Sequence, residues 1–110
     1  MREPKGEVIW TTLGAEQVRA ETDCFPDELV DLVAALTEQI GPIEITSGHR
    51  KGRGRSLHHH CKAVDFRPLN VANSEALAVM RTLPGIGGIG SYRRTDILHM
   101  DIGAHREWRF

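Results

Sequence analysis

Between residues 26 and 40, apolar side chains recur at helical spacing. Leu29, Val33, Leu36 and Ile40 share one face, the signature of an amphipathic helix packed on a core. Pro26-Asp27-Glu28 opens this segment; proline suits a first helical turn, and the two acids suit the positive end of the dipole. Gly41-Pro42 stops it. Residues 43–46 then alternate in polarity and predict a strand, and Ala63-Val64-Asp65-Phe66 predicts a second. Residues 14–21 form a short candidate helix. Asn73 or Ser74 is positioned to cap another, running to about Leu83 with Leu77 and Met80 inward. Pro84 to Gly90 reads as a glycine-rich turn, and Ile97 to Ile102 as a last strand. Trp108 and Phe110 in the tail are expected to pack back onto the body. Helices and strands mix without a regular βαβ rhythm, which predicts an α+β fold with a small, mostly antiparallel sheet and flanking helices.

Length and composition narrow the class. One domain spanning 1–110 is the natural reading of 110 residues. The 40% hydrophobic and 26% charged content is that of a globular chain, not of a disordered, collagenous or disulfide-rich one. A net charge of −1 argues against general nucleic-acid or membrane-surface binding. No stretch approaches the ~18 apolar residues of a membrane span, so no membrane insertion is expected. The N-terminus carries no visible secretory signal. Cys24 and Cys61 are the two cysteines; they can pair, but two are too few to indicate a compartment.

Residues 47–61 lack apolar periodicity and read as a loop, yet they carry His58, His59 and His60 in a row. His58 precedes Asp65, which lies in the following strand. Imidazole and carboxylate are both zinc ligands, and a loop leading into a strand is able to fold one toward the other. Downstream, Asp96-Ile97-Leu98-His99-Met100-Asp101 places His99 and Asp101 on one face of a strand, and Leu98, Met100 and Ile102 on the other. The apolar face belongs to the core, so His99 looks toward the polar side. Three protein ligands with one open position is the layout of a catalytic zinc site; His58, Asp65 and His99 supply three, with His59 and His60 as alternatives to His58. Asp96 is then available as general base on the attacking water. Because Asp96 and His99 are three apart, the strand must begin after Asp96 or the backbone must bend there. Asp101 reads as a residue behind the ligands or at the surface, and His105 as a surface histidine.

Together these residues resemble the zinc D-Ala-D-Ala carboxypeptidases. Their superfamily includes vancomycin-resistance D,D-peptidases, phage L-alanyl-D-glutamate endolysins and the hedgehog signalling domain. Ser56, His58, Ala63 and Asp65 match the S-x-H-x-x-G-x-A-x-D pattern, and Asp96 and His99 match the later acid-x-x-His pair. Residues 45–50 look like the I-x-S-G-Y-R segment, with His49 where tyrosine is usual. The glycines of 87–90 and Arg106-Glu107-Trp108 also look familiar, so the similarity runs from about residue 25 to the end. It implies a hedgehog/D,D-peptidase-like fold, a Zn2+ cofactor held by His58, Asp65 and His99, and Asp96 as base. It further implies Arg50 steadying the oxyanion or substrate carbonyl, and Ser56 helping to hold the substrate, a peptidoglycan stem peptide. His49 is a candidate for orienting site or substrate.

Two departures stand out. Cys61 replaces the family glycine; if that position needs positive φ, a cysteine there costs on the order of 1 kcal/mol or more. Cys61 also has workable spacing from His58 to be a metal ligand itself. The loop from Arg50 to Ser56 is short for the family. Its basic run, residues 50–55, lacks aromatic interleaving and reads as a solvated loop that attracts stem-peptide carboxylates, not as a nucleic-acid site. Residues 85–90 spell G-x-G-x-x-G, but a helix precedes and a strand follows, the reverse of a dinucleotide fold. The H-E-x-x-H and G-x-S-x-G patterns are absent. The expected protein is a monomeric peptidase acting on the bacterial cell wall, as a phage lysin or a periplasmic or extracellular domain. The alternative is a catalytically inactive zinc-containing cell-wall-binding or structural module.

Overall fold

A computed structural model describes residues 8–10, 24–47, 61–92 and 95–109. Strand β1 is Val8–Trp10 and helix α1 is Asp27–Ile40. Strands β2, Ile43–Ser47, and β3, Ala63–Pro68, follow, then helix α2, Asn73–Met80. The chain closes with β4, Gly88–Ser91, β5, Leu98–Asp101, and β6, Arg106–Arg109. The six strands form one sheet in the order β1-β2-β3-β5-β4-β6. The β2/β3, β3/β5 and β4/β5 pairs are antiparallel; β1/β2 and β4/β6 are parallel. The fold is α+β, with a mostly antiparallel sheet.

Helix α1 forms where the apolar period placed it. Leu29, Val33, Leu36 and Ile40 are buried, joined by Val30 and Leu32. Pro26 is the N-cap residue, and its carbonyl accepts from the Leu29 and Val30 amides. Gly41 ends the helix at φ 84° while donating to the Thr37 carbonyl; positive φ is readily available to glycine. The core cluster joins this face to Ile43, Ile45, Val64, Phe66, Ile89, Leu98 and Met100, each such side chain contributing about 1.5–3 kcal/mol by leaving water. The strand residues between them point away from the helices and build the second, polar face of the sheet.

Four details differ from the pattern reading. Helix α2 is capped by Ala72, without a side-chain cap bond, and ends at Met80. Leu83 is still buried, reached by a turn in which its amide donates to the Met80 carbonyl. Strand β1 carries too few residues for alternation to show. Gly88, Ile89 and Gly90, read as the end of a turn, form with Ser91 an inner strand of the sheet; glycines hide the alternation that would mark it. Ser47 belongs to β2 and not to the following loop. The candidate helix 14–21 and Phe110 lie outside the described residues.

Cys24, just before α1, forms a disulfide with Cys61, just before β3. This overturns Cys61 as a metal ligand, because its sulfur is consumed by the bond. Cys61 sits at φ 60°, so the family's glycine position does have left-handed backbone here. Among the described residues, no helix is long and apolar enough to cross a membrane.

Candidate metal centre

The polar face of the sheet is organised in cross-strand rows. Asp65 on β3 pairs with His99 on β5, His99 with Gly90 on β4, and Gly90 with Trp108 on β6. Directly paired residues on one face bring their side chains together, and His99 Nδ1 lies 3.0 Å from Asp65 Oδ1. Both side chains are buried. The expectation that His99 looks away from the apolar face holds: Leu98 and Met100 are in the core, and His99 is on the opposite side. β5 begins at Leu98, with a bend at Thr95, which resolves the three-residue offset between Asp96 and His99.

The far nitrogen of His99 is also engaged. His99 Nε2 lies 2.7 Å from Asp101 Oδ2. Asp101 Oδ1 accepts from the Gly88 amide at 2.7 Å and the Gly103 amide at 2.9 Å. Arg106 reaches both oxygens, Nη2 to Oδ2 at 2.9 Å and Nη1 to Oδ1 at 3.3 Å. Burial pushes the Asp101 carboxyl up, but the bonds from His99, Gly88, Gly103 and Arg106 prevail and hold it down at about 2. For His99, burial disfavours the charged ring, yet the hydrogen bonds to Asp101 and Asp65 outweigh it and raise its pKa. Asp101 is therefore the buried support behind His99 and not a surface group. His105 is exposed.

The glycines of β4 make room for this arrangement. A Cβ at Gly90 would come within 2.5 Å of Trp108 Cε2, and one at Gly88 would collide with the Asp101 carboxylate. The Trp108 ring lies over His99 at 4.7 Å between centroids. Gly90→Val should therefore displace Trp108 from His99 and destabilise the fold by about 1–3 kcal/mol through overpacking. Chemical denaturation followed by tryptophan fluorescence tests this; an unshifted midpoint would refute the close packing.

Asp96 occupies a different position from the Asp65–His99 pair. The Arg67 guanidinium forms an ion pair with Asp96, Nε lying 2.7 Å from Oδ1, while Arg67 Nη1 donates to Glu44 Oε1 at 3.0 Å. The Asp96 side chain is 61% exposed, and the hydrogen bond from Arg67 holds its carboxyl below the usual range against the opposing effect of desolvation. It is ionised at neutral pH, as a proton acceptor must be. Arg67 escaped the sequence reading, although its spacing of two from Asp65 puts it on the same face. His49, Arg50, Ser56, His58 and the neighbouring His59 and His60 lie outside the described residues.

Do Asp65 and His99 suit a metal? Two ligands of tetrahedral zinc, at about 2.0–2.1 Å from the ion, are about 3.3 Å apart. The observed 3.0 Å is within a few tenths of that. A metal-bound histidine commonly gives its second ring N–H to a carboxylate, the position Asp101 fills. The donor chemistry fits. Among the described residues no group of three or more His, Cys, Asp or Glu is arranged to hold an ion, so a three-ligand site would need a further ligand from outside them.

A family model for Peptidase M15 matches residues 9–101. The chain belongs to the Peptidase M15 family. The match takes in Asp65, Asp96, His99 and Asp101 and ends before Arg106 and Trp108. Comparisons with curated proteins and with solved structures return no match. Within the family match, Asp65 and His99 stand on two adjoining strands, β3 and β5. The sequence pattern pointed to Asp65 and His99; Arg106 and Trp108, which alternate onto their face, were noted in the resemblance, and Trp108 as part of a tail that packs back, but without a place beside His99.

Proposed function

We propose that this M15 chain is a zinc-dependent peptidase that hydrolyses a D-amino-acid-containing amide bond of peptidoglycan stem peptides, of D,D-carboxypeptidase or L-Ala-D-Glu endopeptidase type. The observation that carries the reading is the buried Asp65–His99 pair at 3.0 Å, in a chain matched to a peptidase family over most of its length. Asp65 and His99 would hold the metal with His58 as third ligand. When bound, zinc supplies a Lewis acid and lowers the pKa of water from 15.7 to about 7.

The chain's own residues then divide the remaining work. Asp96, leaving Arg67, takes the proton of the attacking water and returns it to the leaving amine. Arg50 stabilises the developing oxyanion, a kind of contribution worth about 3–4 kcal/mol per donor. Ser56 and His49 hold the substrate, and the basic residues 50–55 attract its carboxylates. The Cys24–Cys61 disulfide supports action in an oxidising setting such as the cell wall.

The test is digestion of purified muropeptides followed by mass spectrometry, with elemental analysis of the protein. Asp96→Asn should retain the metal and lose about 10²–10⁴-fold in turnover; a wild-type rate would reject the base assignment. One observation favours a second reading, a zinc-bearing module without turnover: Asp96 is held by Arg67 at 2.7 Å. Stoichiometric zinc with no cleavage of any muropeptide would establish it.

A further inference from the structure

His99 is enclosed by more than its two carboxylates. Asp101 holds Nε2, and Arg106 holds Asp101 through both oxygens. The Arg106 guanidinium carbon lies 5.0 Å from the centroid of the Trp108 ring, a stacking distance for cation and ring. Trp108 in turn covers the His99 ring. The four side chains close a circuit, from His99 through Asp101, Arg106 and Trp108 back to His99.

Such a circuit has a specific consequence for a ring with two nitrogens. Turning the imidazole over would move Nδ1 away from Asp65 and break the bond to Asp101. Asp101 can oppose that turn only if it is itself immobile. Two backbone amides, Gly88 and Gly103, and the two-pronged Arg106 contact make it so. The arginine fork fixes both carboxylate oxygens in one plane, which a lysine cannot do. Trp108 packs against the ring at 4.7 Å between centroids, tilted by 54°. Both Arg106 and Trp108 come from β6, which pairs in parallel with β4 and lies beyond the residues matched to the family.

We infer that Asp101, Arg106 and Trp108 are positioning residues that clamp the His99 ring with Nδ1 beside Asp65, so that the closing strand β6 sets the metal affinity of the site. The inference rests on the zinc reading above for its metal arm. Its structural arm, the fixed ring, stands without metal.

The experiment compares wild-type protein with Asp101→Asn, Arg106→Leu, Arg106→Lys and Trp108→Leu. Arg81→Leu is the control: it breaks an exposed ion pair to Glu107 on the same strand without touching the circuit. Zinc affinity is measured by competition with a chromophoric chelator. The His99 Nε2–H resonance is followed by proton NMR in metal-free protein, and thermal melting verifies folding. Asp101→Asn should weaken zinc about 10–100-fold, the usual effect of losing a residue behind a ligand. Arg106→Leu and Trp108→Leu should weaken it in the same direction, Arg106→Lys should recover part of the loss, and Arg81→Leu should leave it unchanged. The Nε2–H resonance should be sharp in wild type and lost to exchange in Arg106→Leu. Should Asp101→Asn fail to fold, the half-exposed Arg106 variants decide. Wild-type zinc affinity and an intact resonance in both Arg106→Leu and Trp108→Leu would overturn the clamp. A wild-type protein that binds no zinc would defeat the zinc reading alone; the clamp would then stand or fall on whether the resonance disappears in Arg106→Leu.

Discussion

Replacing His99 by Ala should, on the proposed zinc-peptidase function, abolish stoichiometric zinc binding and reduce stem-peptide hydrolysis by roughly 10⁴-fold or more, since the metal that would activate water is lost. His99 stands between two buried carboxylates, Asp65 at 3.0 Å and Asp101 at 2.7 Å. Removing it leaves Asp65 without this partner and takes from Asp101 one of the bonds that keep it ionised. A buried carboxylate stripped of hydrogen bonds is costly, so His99→Ala should also melt at a lower temperature than wild type. His99→Gln separates the two effects: an amide can still bond Asp101, restoring part of the stability, but it does not restore the metal. Elemental analysis and thermal melting check both. Retention of one zinc per chain in His99→Ala would remove His99 from the ligand set.

Reduction of the Cys24–Cys61 bond should be the largest single loss of stability. The two cysteines are 37 residues apart, and closing a loop of that size restricts the unfolded chain by about 4 kcal/mol on the chain-entropy estimate. Domains are typically stable by only ~5–15 kcal/mol, so the bond supplies a substantial share. Denaturant midpoints measured with and without reductant should differ accordingly, and the Cys24→Ser/Cys61→Ser protein should match the reduced form. Equal midpoints, with free thiols verified by mass, would refute the estimate. The backbone at residue 61 adds a second, smaller expectation. Because Cys61 lies at φ 60°, Cys24→Ser/Cys61→Gly should regain on the order of 1 kcal/mol over the double serine variant.

Much of the scaffold could be read along the chain because burial imposes a period. Leu29, Val33, Leu36 and Ile40 announced α1, and the alternation of Leu98, Met100 and His99 announced both β5 and the face on which a site forms. Asp65 and His99 were legible as partners for a related reason: each interrupts an otherwise apolar strand with a group that burial would penalise unless it had a function. β4 was not legible, since Gly88 and Gly90 have no side chain to alternate. Their role appears only when Asp101 and Trp108 are seen to occupy the space above them. The Arg67–Asp96 contact escaped for a different reason. It joins a strand to a segment 29 residues further along the chain, and no local rule brings such groups together.

The order of residues by itself determined the helical face of α1, the α+β class and the pair of chemically unusual strand residues, Asp65 and His99. These follow from local periodicity and from the chemistry of each side chain. Tertiary structure alone decided which atoms meet: that β3 lies beside β5, that Cys61 is bonded to Cys24, and that Arg106 and Trp108 stand around His99. Those contacts depend on strand order and register, which arise when one core must be covered by both helices and every inner strand must satisfy its backbone hydrogen bonds on both edges.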